Sequence, residues 1–243
     1  VFGMMMVEMD DADGLISGLT QHYPETVRPA LQIIGKREGV RVIAGLYMMV
    51  FKNQTIFIAD ATVNIEPTSE DLAEIALLAA DKVRQMDMEP RVAMLSFGNF
   101  GGAKHPLANK VRLATEIVKR RAPDLMVDGE MQADTAVSPE IISEVYPFTS
   151  LKQAANVLIC PDLTSANIAY KLLARLGGAV AIGPILMGMR KPVYLLIPGS
   201  DVSDIVNITA MAVFESQQQG KPGQKSIEVL ERFKASMQGA EAK

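Results

Sequence analysis

Between Asn156 and Asn207 the chain sets small polar and hydroxyl side chains where α/β proteins usually hold anions. A short apolar run, Asn156-Val-Leu-Ile-Cys160, stops at Pro161-Asp162, and Thr164, Ser165 and Asn167 open an amphipathic run to Leu176. Gly177-Gly178 breaks that run, Ala179-Val-Ala-Ile182 is a second apolar stretch, and Gly183-Pro184 follows it. Strand, helix and strand in this order form a βαβ unit, parallel and right-handed in nearly every known case. Ligands of such sheets lie beyond the strand C-termini, where helix N-termini present free N–H groups. A phosphate-bearing ligand is the chemistry these residues lead one to expect.

Other candidates are weaker. Arg91-Val-Ala-Met-Leu-Ser96 leads into Phe97-Gly-Asn-Phe-Gly-Gly102 and a helix from Pro106 to Arg121, with Lys104 adding a cation. The loop is neither a Walker motif nor a dinucleotide fingerprint, and tight strand-to-helix packing explains its glycines equally well. Arg28 stands beside a helix start, where a guanidinium can grip phosphate bidentately, although a surface ion pair accounts for it better in isolation. Asp128 and Glu130 could be paired carboxylates, but orienting loop amides at a strand end is the stronger reading. Cys160 sits inside an apolar strand and reads as an inert thiol. His22 and His105 have no partners at metal-ligand spacing, and Asp10-Asp-Ala-Asp-Gly14 lacks the spacing of a calcium loop.

The elements that must position these residues belong to a chain of 243 residues, enough for one large or two small α/β domains. It is 49% hydrophobic and 21% charged, as in ordinary globular proteins. A net charge of −4 implies no basic face and no nucleic-acid partner. One cysteine excludes an internal disulfide framework, and a reducing cytoplasm fits best. No apolar run reaches the ~20 residues that span a bilayer, and no signal peptide is visible, so no membrane partner is expected. Val1-Phe-Gly-Met-Met-Met-Val7 reads as the interior of a longer polypeptide or as a processed terminus.

The pattern predicts a loop and one helix over 1–38, with Pro29 in the first turn of Val27–Ile34. Strands are expected at Val40–Phe51 and Thr55–Ala59, joined by Lys52-Asn53-Gln54. Thr68-Ser-Glu-Asp71 is a capping box for a helix to about Met86, burying Leu72, Ile75, Ala76 and Ala79. Asp124–Asp128 reads as a strand, Val137–Tyr146 as a helix, and Lys191-Pro192 as the entry to a strand through Ile197. A helix over Asp201–Gln217 is expected to be capped by Asp201, with Ile205, Ile208, Ala212 and Val213 inward. Ser226–Met237 reads as an amphipathic docking helix with Ile227, Leu230, Phe233 and Met237 on one stripe.

Several stretches resemble signature segments of the phosphate acetyl/butyryltransferase family. They are Val27-Arg-Pro-Ala-Leu-Gln-Ile-Ile34, Leu95-Ser-Phe-Gly-Asn-Phe-Gly-Gly-Ala-Lys104, Val127-Asp-Gly-Glu-Met-Gln-Ala-Asp-Thr-Ala136, Pro161–Lys171 and Gly183-Pro-Ile-Leu-Met-Gly188. The resemblance runs from about Phe2 to Gln217 and implies a doubly wound, mostly parallel α/β fold with helices on both faces. It also implies two subdomains around a cleft, with the N-terminal part of the family fold absent. The inner subdomain would be 39–186, and 1–38 with 187–243 would be the remnant of the other.

Family members dimerise and transfer acetyl between coenzyme A and phosphate without a metal. By position in the motif Arg28 matches the family's phosphate-binding arginine, and Asp204 its proposed base. The family's Ser-Arg-Gly segment, which stabilises the tetrahedral transition state, is replaced by Ile197-Pro198-Gly199. Neither side chain can donate to an oxyanion, and losing one such donor typically costs ~10²–10³ in rate. The chain is most similar to the phosphotransacetylase-like C-terminal domains of bacterial NADP-dependent malic enzymes, which are non-catalytic, oligomerise and bind acetyl-CoA as an inhibitor. That likeness implies acetyl-CoA as effector, a homo-oligomer, and NADP and a divalent metal only in a catalytic domain outside this sequence. Arg28, Asn167, Lys171, Asp204, Ser96 and Lys104 are the candidate ligand contacts; Asn167 and Lys171 could instead cap or pack their helix. An active phosphate acetyltransferase and a ligand-free oligomerisation piece are the alternatives.

Overall fold

The computed structural model describes residues 1–21 and 23–220. The expected helix over Ser226–Met237 and the His22 side chain lie outside the described residues. The chain divides into two compact units, Gly39–Gly188 and the residues either side of it, with the return at Met189 rather than at 187.

The first unit begins with α1 (Phe2–Glu8), β1 (Leu15–Gly18) and α2 (Tyr23–Ile33). Neither α1 nor β1 is visible in local sequence. α1 has no side-chain cap at its start. Its other end is held from far along the chain: Lys191 Nζ donates to Val7 O (2.8 Å), Glu8 O (2.9 Å) and Asp10 Oδ1 (2.6 Å). A cation there satisfies the helix's last carbonyls. α2 starts earlier than expected, so Pro29 falls in its interior rather than in its first turn. The ring's fixed φ suits a helix, at the loss of one i→i−4 bond.

The second unit runs β2 (Ala44–Val50), β3 (Thr55–Ala59), α3 (Ser69–Gln85), β4 (Arg91–Leu95), α4 (Pro106–Arg121) and β5 (Met126–Met131). It continues through α5 (Ala133–Val137), α6 (Pro139–Glu144), β6 (Val157–Ile159), α7 (Leu163–Arg175) and β7 (Val180–Met187). β2 begins at Ala44, not Val40. The predicted capping box of α3 is present: Asp71 N–H donates to Thr68 Oγ1 at 3.2 Å, and Thr68 N–H to Asp71 Oδ2 at 3.1 Å. Leu72, Ile75, Ala76 and Ala79 are buried beneath it, and each large apolar side chain so removed from water contributes about 1.5–3 kcal/mol.

Within this unit the strand order is β7-β2-β3-β6-β4-β5. β3, β6, β4 and β5 are parallel, while β2 is antiparallel to both neighbours. The βαβ unit of β6, α7 and β7 therefore exists, but the β2–β3 hairpin lies between its two strands.

Three expectations are corrected here. β7 does not end at Ile182; it runs through Gly183-Pro184, opposite a register shift between Leu46 and Met48. A bulge is where a strand tolerates proline, so Gly183-Pro184 is sheet interior and not a ligand-facing loop. β5 likewise continues past Asp128 through Gly129, where a Cβ would lie 2.6 Å from Met94 O. The helix foreseen over Val137–Tyr146 is α6, which starts only at Pro139 because Ser138 precedes proline and is extended at φ −106°, ψ 106°; α5, ending at Val137, was not foreseen.

The first unit resumes with β8 (Val193–Leu196), paired parallel to β1 from Leu15↔Val193 to Gly18↔Leu196, and α8 (Val202–Gly220). α8 buries Ile208, Met211, Ala212 and Phe214, whereas Val213, expected inward, is exposed. Tyr194 is buried against it and donates to the Glu215 carboxylate.

Candidate functional site

The C-terminal ends of β3, β6, β4 and β5 share one edge of the second unit's sheet, and the loops leaving them carry most polar candidates. After β3 comes Asp60, 2% exposed. Its carboxylate accepts the N–H groups of Gly45 (2.9 Å), Thr62 (3.0 Å), Val63 (3.1 Å) and Asn64 (2.7 Å). Sequence reading passed over this residue; an acid closing an apolar strand was the available signal. After β6, Asp162 caps α7 by accepting Ser165 N–H at 2.7 Å, so the helix starts before the Thr164-Ser165 expected to open it. Lys110, also unforeseen, reaches from α4 to donate to Pro161 O at 2.8 Å.

After β4, Ser96 is half-buried, its N–H bonded to Met131 O at 2.8 Å. Lys104 is exposed on the approach to α4 and makes no ion pair among the described residues. His105 is the N-cap of α4, its Nδ1 accepting Leu107 N–H at 3.2 Å. The loop between Ser96 and Lys104 is not an open phosphate cradle. Phe100 N–H donates to Glu130 O at 2.8 Å, Gly102 N–H to Asn99 O at 2.9 Å, and Gly101 N–H to Glu130 Oε1 at 2.6 Å.

Asn167 is half-buried on α7, and Lys171 lies on the same helical face one turn on, exposed. Lys171 is about 12 Å along the helix from its start, well back from the strand edge. Its Nζ stands 5.4 Å from the ring centroid of Tyr170, which stacks on Tyr47 at 4.0 Å.

Asp128 and Glu130 do not act as a pair. Asp128 accepts Lys119 Nζ (2.6 Å), Thr149 Oγ1 (2.6 Å) and Ser150 N–H (2.8 Å), fixing the loop before β6. Burial would raise its carboxyl, but those bonds and the Lys119 charge outweigh it and hold the group below the ordinary carboxylate range. Burial, with Asp162 nearby, pushes the Cys160 thiol up to about 12, which disfavours the thiolate at neutral pH. Among the described residues no group of three or more His, Cys, Asp or Glu could hold a metal ion. No helix among them is long and apolar enough to cross a membrane.

In the first unit, Arg28 is exposed on α2 with no ion pair among the described residues. The turn after β8 contains Ile197, Pro198, Gly199 and Ser200. Ile197 N–H donates to Ser200 Oγ at 3.2 Å and Ser200 N–H to Ile197 O at 3.1 Å. Proline has no N–H, so neither Ile197 nor Pro198 offers a donor by side chain or backbone. Ser200 brings a hydroxyl into this turn, but among the described residues no arginine bonds to it. Asp204 accepts Asp201 N–H at 3.0 Å, and Asp201 accepts Asp204 N–H at 2.9 Å. This is a reciprocal cap on α8.

The mostly parallel sheet, its polar edge and the motif order define a phosphotransacetylase-like domain. Residues 1–213 match the family model for phosphate acetyl/butaryl transferase, and the chain belongs to that family. It is 43% identical over 220 residues to the NADP-dependent malic enzyme of Escherichia coli (strain K12), matching 90% of this chain and 29% of that protein. It is 42% identical over 215 residues to the phosphate acetyltransferase of Bacillus subtilis (strain 168), covering 88% of this chain and 67% of that one. A phosphotransacetylase from Streptococcus pyogenes superposes with a TM-score of 0.85 at 42% identity, over 89% of this chain and 67% of that chain. The chain thus spans under a third of one relative and about two thirds of the others.

Proposed function

We propose that this chain is the phosphotransacetylase-like domain of an NADP-dependent malic enzyme, binding acetyl-CoA without transferring its acyl group. The observation that carries this reading is the turn after β8. Acyl transfer needs donors aimed at the oxyanion of the tetrahedral intermediate. Here an isoleucine with its N–H already committed to Ser200 and a proline with none take up that turn. Asp204, at the position of the family's proposed base, is engaged with Asp201 N–H as a helix cap.

Candidate ligand contacts are Arg28 and Asp204 in one unit and Ser96, Lys104, Asn167 and Lys171 in the other. Arg28 and Lys104 are exposed cations without ion pairs among the described residues, which suits phosphate groups. In the parent enzyme the domain assembles as a homo-oligomer, and NADP and a divalent metal serve another domain. Acetyl-CoA inhibits malate decarboxylation there only if it binds the inactive assembly more tightly than the active one.

Calorimetric titration of the full-length protein with acetyl-CoA tests the reading. Saturable binding that weakens in R28A supports it; no heat of binding at millimolar ligand sinks it. The second reading, an active phosphate acetyltransferase, draws on the Ser200 hydroxyl and on the B. subtilis relative.

A further inference from the structure

The glycine-rich loop has a geometry that normally binds anions, yet its amides are already occupied. Phe100 and Gly101 are consecutive residues at φ 45° and φ 84°, both left-handed. Successive N–H groups in such a turn form a concave nest that attracts negative charge. Phe100 is not glycine, and a bulky residue at positive φ persists only where its surroundings over-determine it. Its ring is packed against Tyr146 and Phe148, each with centroids 5.0 Å away.

Both nest amides point to one residue. Phe100 N–H donates to Glu130 O at 2.8 Å, and Gly101 N–H donates to Glu130 Oε1 at 2.6 Å. Glu130 is 0% exposed, and its other oxygen, Oε2, is equally buried without a hydrogen-bond partner among the described residues. A buried carboxylate with an unfilled acceptor is costly, so the bonds that Glu130 makes to the loop amides must offset that cost. The same strand end grips the loop three times more, through Gln132 N–H to Asn99 Oδ1 at 2.8 Å, Asn99 Nδ2 to Gln132 Oε1 at 3.0 Å and Gln132 Nε2 to Phe97 O at 2.8 Å.

We infer that Glu130 is the built-in occupant of this nest and the positioning residue of the loop. It closes the backbone amides to external phosphate and fixes Ser96 and Lys104, on either side of the loop, as the groups that meet a ligand. This deepens the acyl-CoA reading and rests on it for the ligand, but not for the loop itself. It also predicts that the loop contributes side chains, not backbone N–H groups, to any phosphate contact.

Two measurements on wild type, E130A and E130Q in the full chain test it, with thermal unfolding as the check on folding. In hydrogen exchange, peptides covering 97–102 should lose protection by about tenfold in E130A, the worth of one hydrogen bond. E130Q keeps a carbonyl oxygen facing Gly101 N–H and should retain near-wild-type protection. Acetyl-CoA affinity should fall in E130A, again by about tenfold, and hold in E130Q. Unchanged loop exchange in a folded E130A, or loss of protection in E130Q matching that in E130A, would overturn the inference; should E130A fail to fold, E130Q is compared with wild type alone, and a loss of about tenfold or more in its loop overturns the inference. Unchanged acetyl-CoA affinity in an E130A whose loop has loosened overturns the positioning role. If wild type binds no acetyl-CoA while E130A still loosens the loop, the ligand reading falls and the nest assignment stands.

Discussion

Asp201 and Asp204 hold each other's backbone: each carboxylate accepts the other's N–H, at 2.9 and 3.0 Å. Asp204, a candidate base by its place in the motif, is thus also the cap's partner at the third residue of α8. The two roles separate experimentally. D201A and D204A should each destabilise the first unit by about 0.5–2 kcal/mol, and the double variant should cost less than their sum because the pair is reciprocal. Denaturant unfolding of the three variants measures this; strict additivity would show that the box contributes nothing as a unit.

Asp128 gives a pH dependence with a definite sign. Its carboxyl lies below the ordinary value of 3.8 because Lys119, Thr149 and Ser150 hold its ionised form against burial. A depressed folded value contributes stability that is present above the unfolded value and lost as pH falls through the lower folded one. Wild type should therefore lose stability below pH 3.8 more steeply than D128N. At neutral pH D128N should be about 1–3 kcal/mol less stable. Parallel pH profiles would remove Asp128 from the acid transition.

Tyr194 acts at the other end of the scale. Burial, with the Glu215 charge and hydrogen bond, raises its hydroxyl well above the usual value of 10.0. A raised folded value contributes stability below the unfolded value that is lost as pH climbs from there through the folded one. Stability should decline above pH 10.0 in wild type and decline less in Y194F. Y194F should cost about 1 kcal/mol near neutrality. Alkaline unfolding followed by far-UV circular dichroism distinguishes the two curves.

Gly129 has φ 148°, and a Cβ there would sit 2.6 Å from Met94 O and 2.8 Å from Met94 Cβ. Backbone cannot yield as a side chain tip can, so G129A should cost about 3 kcal/mol or more. A midpoint shift under about 0.5 kcal/mol in urea would mean that β4 and β5 separate more readily than their register implies.

What the sequence made visible was whatever local chemistry determines. The Thr68–Asp71 box, Pro106 at the start of α4 and the Lys52-Asn53-Gln54 turn are short-range signals, and each stands where it was read. β1 and α1 are different: β1 is defined by pairing with β8, and α1 is finished by Lys191 across the chain. Proline misled twice. Pro139 delays the foreseen helix by holding Ser138 extended, while Pro184 continues a strand because a register shift in β2 removes the need for its N–H. Of the candidate site, Ser96, Lys104, Asn167, Lys171, Arg28 and Asp204 were named from motif position, and Glu130 holds a loop amide at its strand end as its place in the sequence suggested; Asp60, which gathers Gly45 N–H with three amides just after it, and Lys110, which reaches Pro161, were missed. Composition holds no trace of those contacts.

The central claim is that the turn Ile197-Pro198 leaves an acyl-CoA site unable to transfer its acyl group. Arsenate tests this most directly, because an acetyl group passed to it hydrolyses at once and releases coenzyme A without reversal. With acetyl-CoA, arsenate and the full-length protein, we predict saturable ligand binding but thiol release no faster than in protein-free buffer. Sustained release that scales with protein concentration would contradict the account and restore an active acyltransferase.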